Sequence, residues 1–284
     1  MILIADSGST KTDWLFLNLE TGQKTYFEGF GLNPYLINSN DVYEEVLRLF
    51  KKQDINSIRE ISFYGAGCST EKNKQIITVG LFRIFKNANI QVFHDLEGAA
   101  RALCKHEEGI ACILGTGSNA CLYNGKEIEK SAISLGYLIG DEGSGNYLGK
   151  KLIHSVYLGL APEEISRNFE DTFNLSTTEL LAELYKKPFP NRFLASFAPF
   201  IGAYRNNSFI KELIYSAFDD FIHTVVKPLK PEQNLPLHFT GSIAWFFKEE
   251  LTHITQKNGY QLGIIEQKTI EELANYHFYL HKKQ

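Results

Sequence analysis

Residues 1–17, MILIADSGSTKTDWLFL, contain two apolar runs separated by a short segment rich in glycine, serine and threonine. Apolar runs of this length, bounded by residues that favour turns, predict two β-strands joined by a tight hairpin. A polar turn at Thr21-Gly22 and a further strand-like segment to Gly29 extend the pattern. The chain is therefore predicted to open with an antiparallel meander of three strands.

Strands and helices alternate after this meander. Apolar residues recur at helical spacing over residues 41–52, and the strand-like segment EISFYGAG follows at 60–67. The same reasoning predicts a helix over 71–85, a strand over 90–93 and a helix over 96–105. Because a helix that connects two parallel strands produces this order, the first half of the chain is predicted to be α/β.

A second meander is predicted at residues 109–130, GIACILGTGSNACLYNGKEIEK, where two strands are joined by Gly-Thr-Gly-Ser. Two similar meanders, each with a glycine-rich turn, favour a duplicated architecture of two domains. The elements predicted for the rest of the chain are a mainly helical region over 147–230, strands over 235–242 and 261–265, and a helix over 269–283.

The composition is that of a soluble globular protein, since 44% of the 284 residues are hydrophobic and 22% are charged. A formal net charge of -4 without a long run of lysine or arginine argues against nucleic acid or an anionic membrane as partner. A small soluble ligand fits better. No segment is apolar for long enough to span a bilayer, and Met1 leads into Ile2-Leu3-Ile4 without the features of a secretory signal. We therefore expect a cytoplasmic location.

The cysteines are widely spaced along the chain and form no Cys-x-x-Cys pair. They also show no grouping with histidine that would predict a zinc or iron–sulfur site. We expect all of them to be buried thiols: Cys68, Cys104, Cys112 and Cys121.

The turn from Asp6 to Thr12 has the composition of a phosphate-binding hairpin. Glycine lets the backbone approach a ligand closely, the hydroxyls and turn N–H groups can donate to phosphate oxygens, and Lys11 adds a cation. Asp6, at the strand end, can hold Mg²⁺ directly or through water. A plain hairpin whose aspartate caps its own turn contains the same residue types, so both interpretations stay open at this point.

The turn over residues 114–119, LGTGSN, follows an apolar strand and has a similar hydroxyl-rich composition. Its Gly-x-Gly pair lacks the spacing of a dinucleotide fingerprint or of a Walker loop, so neither a Rossmann fold nor a P-loop is indicated. Two phosphate-binding hairpins account better for the two turns.

Two further segments place carboxylates where a helix is predicted to begin. Asp95 follows a strand and precedes small residues, which is also the pattern of a helix N-cap. Residues 135–149, LGYLIGDEGSGNYLG, combine many glycines with two adjacent carboxylates, and a helix is expected to start at Ser144. A surface turn and a ligand-binding loop both fit this composition.

Together these motifs resemble a known family. The Asp6–Thr12 and Gly115–Ser118 turns look like the two phosphate loops shared by hexokinases, actin and the Hsp70 chaperones, in the same order. Residues 140–144, GDEGS, resemble the sugar-binding loop of N-acetylglucosamine kinases and of the wider BadF/BadG/BcrA/BcrD ATPase family, which includes activators of acyl-CoA dehydratases. Residues 31–34, GLNP, and 239–244, FTGSIA, are similar to its sugar and adenosine segments, although an Asn-Pro turn and an ordinary helix entry use the same residues. The resemblance covers nearly the whole chain.

This resemblance implies an α/β fold of two ribonuclease H-like, actin-like ATPase domains with a nucleotide- and sugar-binding cleft between them. Residues 1–108 would form the first domain, completed by a C-terminal helix over 268–284. Residues 109–267 would form the second domain, with a helical insertion. ATP and Mg²⁺ are the implied cofactors.

The resemblance also implies a role for each motif. Asp95 would act as the base that takes the proton of the attacking sugar hydroxyl, and Asp6 would hold Mg²⁺. The implied phosphate contacts are Gly8, Ser9, Thr10, Lys11, Thr12, Gly115, Thr116 and Gly117. The implied adenosine contacts are Gly241 and Ser242. The implied sugar contacts are Asn33, Asp95, Thr116, Gly117, Ser118, Gly140 and Asp141.

The implied reaction transfers the γ-phosphate of ATP to the 6-hydroxyl of an amino sugar, with N-acetylglucosamine as the first candidate. Glucosamine, another hexosamine or N-acetylmuramic acid would use the same site, and no basic group dedicated to the lactyl carboxylate of the last is evident. The leading alternative is an ATPase activator of an acyl-CoA dehydratase or reductase, but the cysteines show no cluster pattern. A non-catalytic sugar or nucleotide sensor is a third interpretation, and a homodimer is left open.

Overall fold

The computed structural model describes residues 1–230 and 235–282. Residues 283 and 284, the last two of the predicted final helix, lie outside the described residues. Contacts within the chain divide it into two compact units. Unit 1 consists of Met1–Glu107, Asn124–Ile128 and Lys268–Gln284, and unit 2 consists of Glu108–Tyr123 and Glu129–Gln267.

Strands and helices are numbered along the chain. The strands are β1 (Ile2–Ser7), β2 (Lys11–Leu17), β3 (Lys24–Phe30), β4 (Glu60–Gly65), β5 (Asn89–His94), β6 (Glu108–Leu114), β7 (Ser118–Asn124), β8 (Ile128–Ser131), β9 (Leu237–Thr240) and β10 (Leu262–Glu266). The helices are α1 (Ser39–Phe50), α2 (Glu71–Phe82), α3 (Asp95–Leu103), α4 (Gly136–Ile139), α5 (Gly145–Tyr157), α6 (Glu163–Phe173), α7 (Thr177–Tyr185), α8 (Pro190–Ala195), α9 (Ala198–Ala203), α10 (Ser208–Phe221), α11 (Ser242–Phe246), α12 (Lys248–Lys257) and α13 (Ile270–Lys282).

The sheet of unit 1 has the strand order β3-β2-β1-β4-β5. Its first three strands form the predicted antiparallel meander, with Asp6 opposite Asp13 in the β1–β2 register. Strands β4 and β5 continue the sheet parallel to β1. The carboxyl ends of these three parallel strands therefore share one edge, which carries Asp6, Gly65 and His94.

Helices cover both faces of this sheet. Helices α1 and α2 pack on one face, where Trp14 and Phe63 are buried. Helices α3 and α13 pack on the other face, where Ile4 and Tyr64 are buried. Because successive side chains of a strand point to opposite faces, β1 contributes to both cores and reads as a continuous apolar run.

The sheet of unit 2 has the order β10-β9-β6-β7-β8, in which β6, β9 and β10 are parallel. In both sheets the first strand is central, with its two meander partners on one side and two parallel strands on the other. This equivalence confirms the predicted α/β fold of two similar sheets.

The core of unit 2 lies among its helices and the central strands of its sheet. It is rich in aromatic side chains, and Phe169 alone contacts Phe173, Phe197 and Phe200 at ring-centroid distances of 4.8, 5.5 and 5.7 Å. The aromatic residues of the helical region therefore stabilise a core, as aromatic pairs of this geometry usually do.

The helix ends, the cysteines and the lengths of the helices can also be compared with the sequence predictions. Helix α2 ends three residues earlier than predicted and α3 two residues earlier, because helix ends are poorly fixed by apolar periodicity. All four cysteines are buried and none forms a disulfide. Within the described part of the chain, every helix is too short or too polar to cross a bilayer.

Candidate active site

The turn between β1 and β2 is held closely by the segment that follows β3. The Gly8 N–H donates to the Lys11 carbonyl at 2.9 Å, which closes the hairpin around Ser9 and Thr10. The Gly31 N–H donates to the Thr10 carbonyl at 3.0 Å, and a Cβ atom on Gly31 would lie 2.5 Å from the Gly8 oxygen. Only glycine allows this approach, so the turn has a fixed backbone conformation.

Thr12 contacts two neighbouring parts of the meander. Its hydroxyl is fully buried, lies 2.7 Å from the Ser7 hydroxyl and donates to the Phe30 carbonyl at 2.8 Å. The Ser7 oxygen also accepts a hydrogen bond from the Leu32 N–H at 3.0 Å. The Thr12 side chain therefore stabilises the meander, and its role as a phosphate contact stays a prediction.

Lys11 lies in a surface cluster of charges. Its Nζ atom is 3.4 Å from Asp13 Oδ2 and 3.6 Å from Glu28 Oε2, and its side chain is about half exposed. Lys268 also contacts Asp13, at 2.8 Å. Ion pairs this exposed are weak, so Lys11 can exchange them for a phosphate near the turn.

Asp6 is the penultimate residue of β1 and lies beside this turn. The Thr269 hydroxyl donates to Asp6 Oδ2, so the carboxylate does not simply cap its own turn. Burial raises the pKa of Asp6 to about 6; the Thr269 hydrogen bond opposes this rise, and the charges of Asp13 and Asp95 add to it. A cation beside this carboxylate would favour its ionised form.

Asp6 provides a single carboxylate as a candidate ligand for Mg²⁺. Within residues 1–230 and 235–282, no group of three or more His, Cys, Asp or Glu side chains could hold a metal ion. Mg²⁺ is usually held by one or two carboxylates together with waters and substrate phosphates. A single carboxylate at a hydroxyl-rich turn fits this ion.

Asp95 is the first residue of α3, and the N-cap residue is His94. Asp95 Oδ1 accepts from the Leu96 N–H at 2.9 Å, and His94 Nδ1 lies 3.1 Å from the same oxygen. Among the described residues, Oδ2 of Asp95 has no hydrogen-bond partner, and the side chain is 21% exposed. One carboxylate oxygen is thus fixed and the other is available to a ligand.

Asn33 forms the Asn-Pro turn and also contacts the β1–β2 turn. Its Oδ1 accepts from the Tyr35 N–H at 3.0 Å, and its Nδ2 donates to the Ser9 hydroxyl at 2.9 Å. A Cβ atom on Gly67 would lie 2.4 Å from Asn33 Oδ1. The structure therefore brings the predicted sugar residue Asn33 to the predicted phosphate residue Ser9, at the edge that also carries Asp95.

In unit 2, the turn between β6 and β7 is bound to the start of α5. The Gly115 N–H donates to the Gly117 carbonyl at 3.0 Å, and the Gly145 N–H donates to the Gly115 carbonyl at 2.8 Å. The Thr116 carbonyl accepts from both the backbone N–H of Asn146, at 3.1 Å, and its side-chain Nδ2, at 2.6 Å. The glycine-rich loop before α5 is therefore fixed to the turn.

Asp141 connects these two segments. Its backbone is left-handed, with φ of 61°, and its Oδ2 accepts from Asn146 Nδ2 at 2.7 Å. Its Oδ1 faces the Ser118 N–H at 3.4 Å, and a Cβ atom on Gly117 would lie 2.9 Å from Oδ2. Burial raises the pKa of Asp141 against the effect of these hydrogen bonds. The predicted sugar residues Gly117, Ser118 and Asp141 are thus brought together.

Two residues at this loop were not identified from the sequence. Asn146 is fully buried, and its Oδ1, like the Ser118 hydroxyl, has no hydrogen-bond partner among the described residues. Lys150 Nζ donates to the carbonyls of Tyr137, at 2.5 Å, and Gly140, at 3.4 Å, and burial lowers its pKa. An asparagine and a lysine within a helix carry no local signal for such contacts.

The segment at Gly241 also lies against the β6–β7 turn. Gly241 has φ of 112°, and a Cβ atom there would lie 2.4 Å from the Leu114 carbonyl oxygen. Helix α11 begins at Ser242, directly after this glycine. The predicted adenosine residues therefore lie close to the end of β6, where the predicted phosphate turn of unit 2 begins.

Comparisons with known proteins agree with the observed fold. A solved structure from Porphyromonas gingivalis, provisionally named an N-acetylglucosamine kinase, is 41% identical, with a TM-score of 0.92 over 99% of this chain and 100% of that chain. A structure from Chromobacterium violaceum with the same provisional name has a TM-score of 0.79 over 97% of this chain and 99% of that chain; its 18% identity supports the fold alone.

A curated N-acetylmuramic acid/N-acetylglucosamine kinase from Clostridium acetobutylicum is 33% identical over 163 residues, which cover 53% of this chain and 51% of that protein. The chain thus spans about half the length of this curated relative. No family model matches the chain. Since the Porphyromonas relative is 41% identical and covered over its whole length, the chain belongs to the N-acetylglucosamine kinase-like family of ATP-dependent sugar kinases, which has the actin-like ATPase fold.

Proposed function

We propose that the protein transfers the γ-phosphate of ATP to the 6-hydroxyl of an amino sugar, with N-acetylglucosamine as the preferred acceptor. The Asp95 carboxylate is the observation that carries this proposal. One of its oxygens has no hydrogen-bond partner among the described residues. Asp95 also follows directly on the sheet edge that holds Asp6. The names of the relatives support the acceptor class.

In this reaction Asp95 accepts the proton of the attacking hydroxyl as the sugar oxygen forms its bond to the γ-phosphorus and ADP leaves. Positioned general bases of this kind contribute on the order of 10²- to 10⁴-fold to a rate. Asp6 is the proposed ligand of Mg²⁺, directly or through water. The ion would supply positive charge to the phosphates during transfer.

The two turns have a shared role in the proposal. Backbone N–H groups at Gly8–Thr12 and Gly115–Gly117, together with hydroxyls of these turns, would bind the phosphates, since close backbone approach and several donors suit an anion. Gly241 and Ser242 would contact the adenosine. The interdomain cleft and the domain boundaries predicted from the sequence stay predictions.

The proposed sugar contacts are hydrogen-bonding groups instead of an apolar pocket. Asp141 is already ordered by Asn146 and Ser118, and Asn33 by Tyr35 and Ser9. A site built to bind hydroxyls rejects analogues that lack them more strongly than an apolar pocket does. We therefore expect the side chains of Asn33 and Asp141, together with the backbone at Gly140, to determine which hexosamine is bound.

An ADP-release assay tests the proposal, using purified protein, MgATP and a panel of hexoses, hexosamines and N-acetylated amino sugars. N-Acetylglucosamine should give the largest stimulation, and excess EDTA should abolish it. 6-Deoxy-N-acetylglucosamine is the matched control, because it can occupy the site but has no acceptor hydroxyl. Formation of a phosphorylated product from this analogue would contradict transfer to the 6-hydroxyl.

The same assay separates the alternatives. Hydrolysis of ATP that is independent of sugar, with iron bound, would favour the activator of a dehydratase or reductase. Tight sugar binding without turnover would favour a sensor. A homodimer and a cytoplasmic location also stay predictions.

A further inference from the structure

Residues Lys268 and Thr269, between β10 and α13, reach back to the hairpin at the start of the chain. The Thr269 hydroxyl donates to Asp6 Oδ2 across 263 positions of sequence. Thr269 is only 4% exposed, and its carbonyl accepts from the Leu273 N–H at 2.9 Å at the beginning of α13. The position of this hydroxyl is therefore fixed by the helix that follows.

The neighbouring residue makes a parallel contact. Lys268 Nζ lies 2.8 Å from Asp13 Oδ1, and Asp13 is the residue opposite Asp6 in the β1–β2 register. Two consecutive residues thus contact two paired carboxylates. Thr269 does so with a buried hydroxyl, and Lys268 with the ammonium group of a side chain that is 43% exposed. Only the hydroxyl contacts the carboxylate that we propose as the metal ligand.

A single donor to one oxygen has a directional effect on a carboxylate. The hydrogen bond fixes the rotation of the Asp6 side chain and occupies Oδ2, while Oδ1 has no hydrogen-bond partner among the described residues. Outer hydrogen bonds of this kind orient metal ligands in many proteins, and their loss typically lowers metal affinity 10- to 100-fold.

We propose that Thr269 is a positioning residue for the divalent cation of the nucleotide: it holds Asp6 so that the second carboxylate oxygen is the one offered to the ion. The identity of the ion and of the nucleotide rests on the proposed function. The contact itself rests on the hydrogen bond and on the burial of Thr269. It makes the segment before α13 part of the metal site, although this segment contributes no ligand.

Three variants separate orientation from folding. Thr269→Val keeps the shape and removes the hydroxyl, Thr269→Ser keeps the hydroxyl, and Lys268→Met removes the adjacent ion pair without touching Asp6. Binding of Mn²⁺ to the protein with ADP, followed by electron paramagnetic resonance, needs no turnover. We expect about a tenfold weaker Mn²⁺ affinity for Thr269→Val and changes within about twofold for the other two. The Mg²⁺ concentration for half-maximal ADP release should rise for Thr269→Val and change little for Thr269→Ser and Lys268→Met.

Unchanged Mn²⁺ affinity in Thr269→Val, with an unchanged melting temperature, would overturn the inference. If Thr269→Val does not fold, Thr269→Ala provides the same comparison. In an Asp6→Asn background, removal of the Thr269 hydroxyl should have no further effect on Mn²⁺ affinity, and a further tenfold loss would also overturn it. Wild-type protein that binds Mn²⁺ with ADP but phosphorylates no sugar would contradict the kinase proposal alone.

Discussion

The Tyr64 hydroxyl lies 2.8 Å from Nε2 of His277, which joins β4 to α13. Arg101 Nη1 donates to the same hydroxyl at 2.9 Å, so the tyrosine oxygen is in contact with both side chains. Burial lowers the pKa of His277 to about 4, and the charges of Arg101 and His281 act in the same direction. His277 is therefore neutral at pH 7 and becomes charged in the folded protein only near pH 4 and below.

This shift predicts a pH dependence of stability. Between pH 6.5 and 4, His277 binds a proton in the unfolded chain but not in the folded one, so stability falls as the pH falls. The difference in the free energy of unfolding between wild type and His277→Gln should change by up to about 3 kcal/mol from pH 7 to pH 4. Urea unfolding of both proteins across this range measures it. Parallel stability curves would show that His277 titrates normally.

Asp95→Asn should lower the rate of phosphoryl transfer on the order of a thousandfold, because the amide keeps the shape but cannot accept the proton. The dissociation constant for ATP should stay within about threefold. Stopped assays for product and calorimetry for ATP measure the two effects. Glu97→Gln is the matched control on the same helix, since Glu97 is paired with Arg101 at 2.6 Å. Wild-type turnover by Asp95→Asn would remove Asp95 as the base.

Asn146→Leu should raise the KM for the sugar about tenfold and lower stability by about 1 to 3 kcal/mol, because both Asp141 and the Thr116 carbonyl lose a buried donor. Steady-state kinetics at saturating ATP and urea unfolding test this. Asn258→Leu is the control, because its Nδ2 also donates to a carboxylate, Asp219, and to the Ile254 carbonyl. This control should lose stability and keep its KM. An equal rise in KM in both variants would assign no special role to Asn146.

Gly31→Ala should weaken ATP binding at least tenfold. Its Cβ would lie 2.5 Å from both the Gly8 oxygen and the Ser9 carbonyl carbon, so the β1–β2 turn must move. Gly159→Ala is the control, because nothing lies within 4 Å of its Cβ and only its positive φ is strained. Fluorescence titration with a labelled ATP analogue compares them. Equal ATP affinity in the two variants would show that the turn is not part of the nucleotide site.

Much of the fold could be predicted because its signals are local. The apolar runs of β1 and β6 each end in small residues that favour a turn, and both meanders follow from that pattern. The start of α5 was predictable for the same reason, since Ser144 accepts a hydrogen bond from the Tyr147 N–H as an N-cap does. Such signals do not depend on distant parts of the chain.

The candidate site was less predictable, because side-chain directions depend on residues far away in sequence. The Thr12 hydroxyl points to Phe30 in another strand, so composition alone could not separate it from the hydroxyls of the turn. Thr269 contacts Asp6 from the other end of the described chain. The roles assigned to the turns, Asn33, Asp95 and Asp141 stay predictions until the variants above are measured.

Unit 1 combines the first 107 residues with the segment that carries Thr269 and α13. On the ribosome these parts emerge far apart in time, with the residues of unit 2 made between them. Domains generally fold as units during synthesis, so unit 2 can complete its core first. The β1–β2 hairpin must therefore wait for the segment at Thr269 before Asp6 receives its hydrogen bond. The proposed Mg²⁺ ligand is positioned only after the residues of unit 2 have been synthesised.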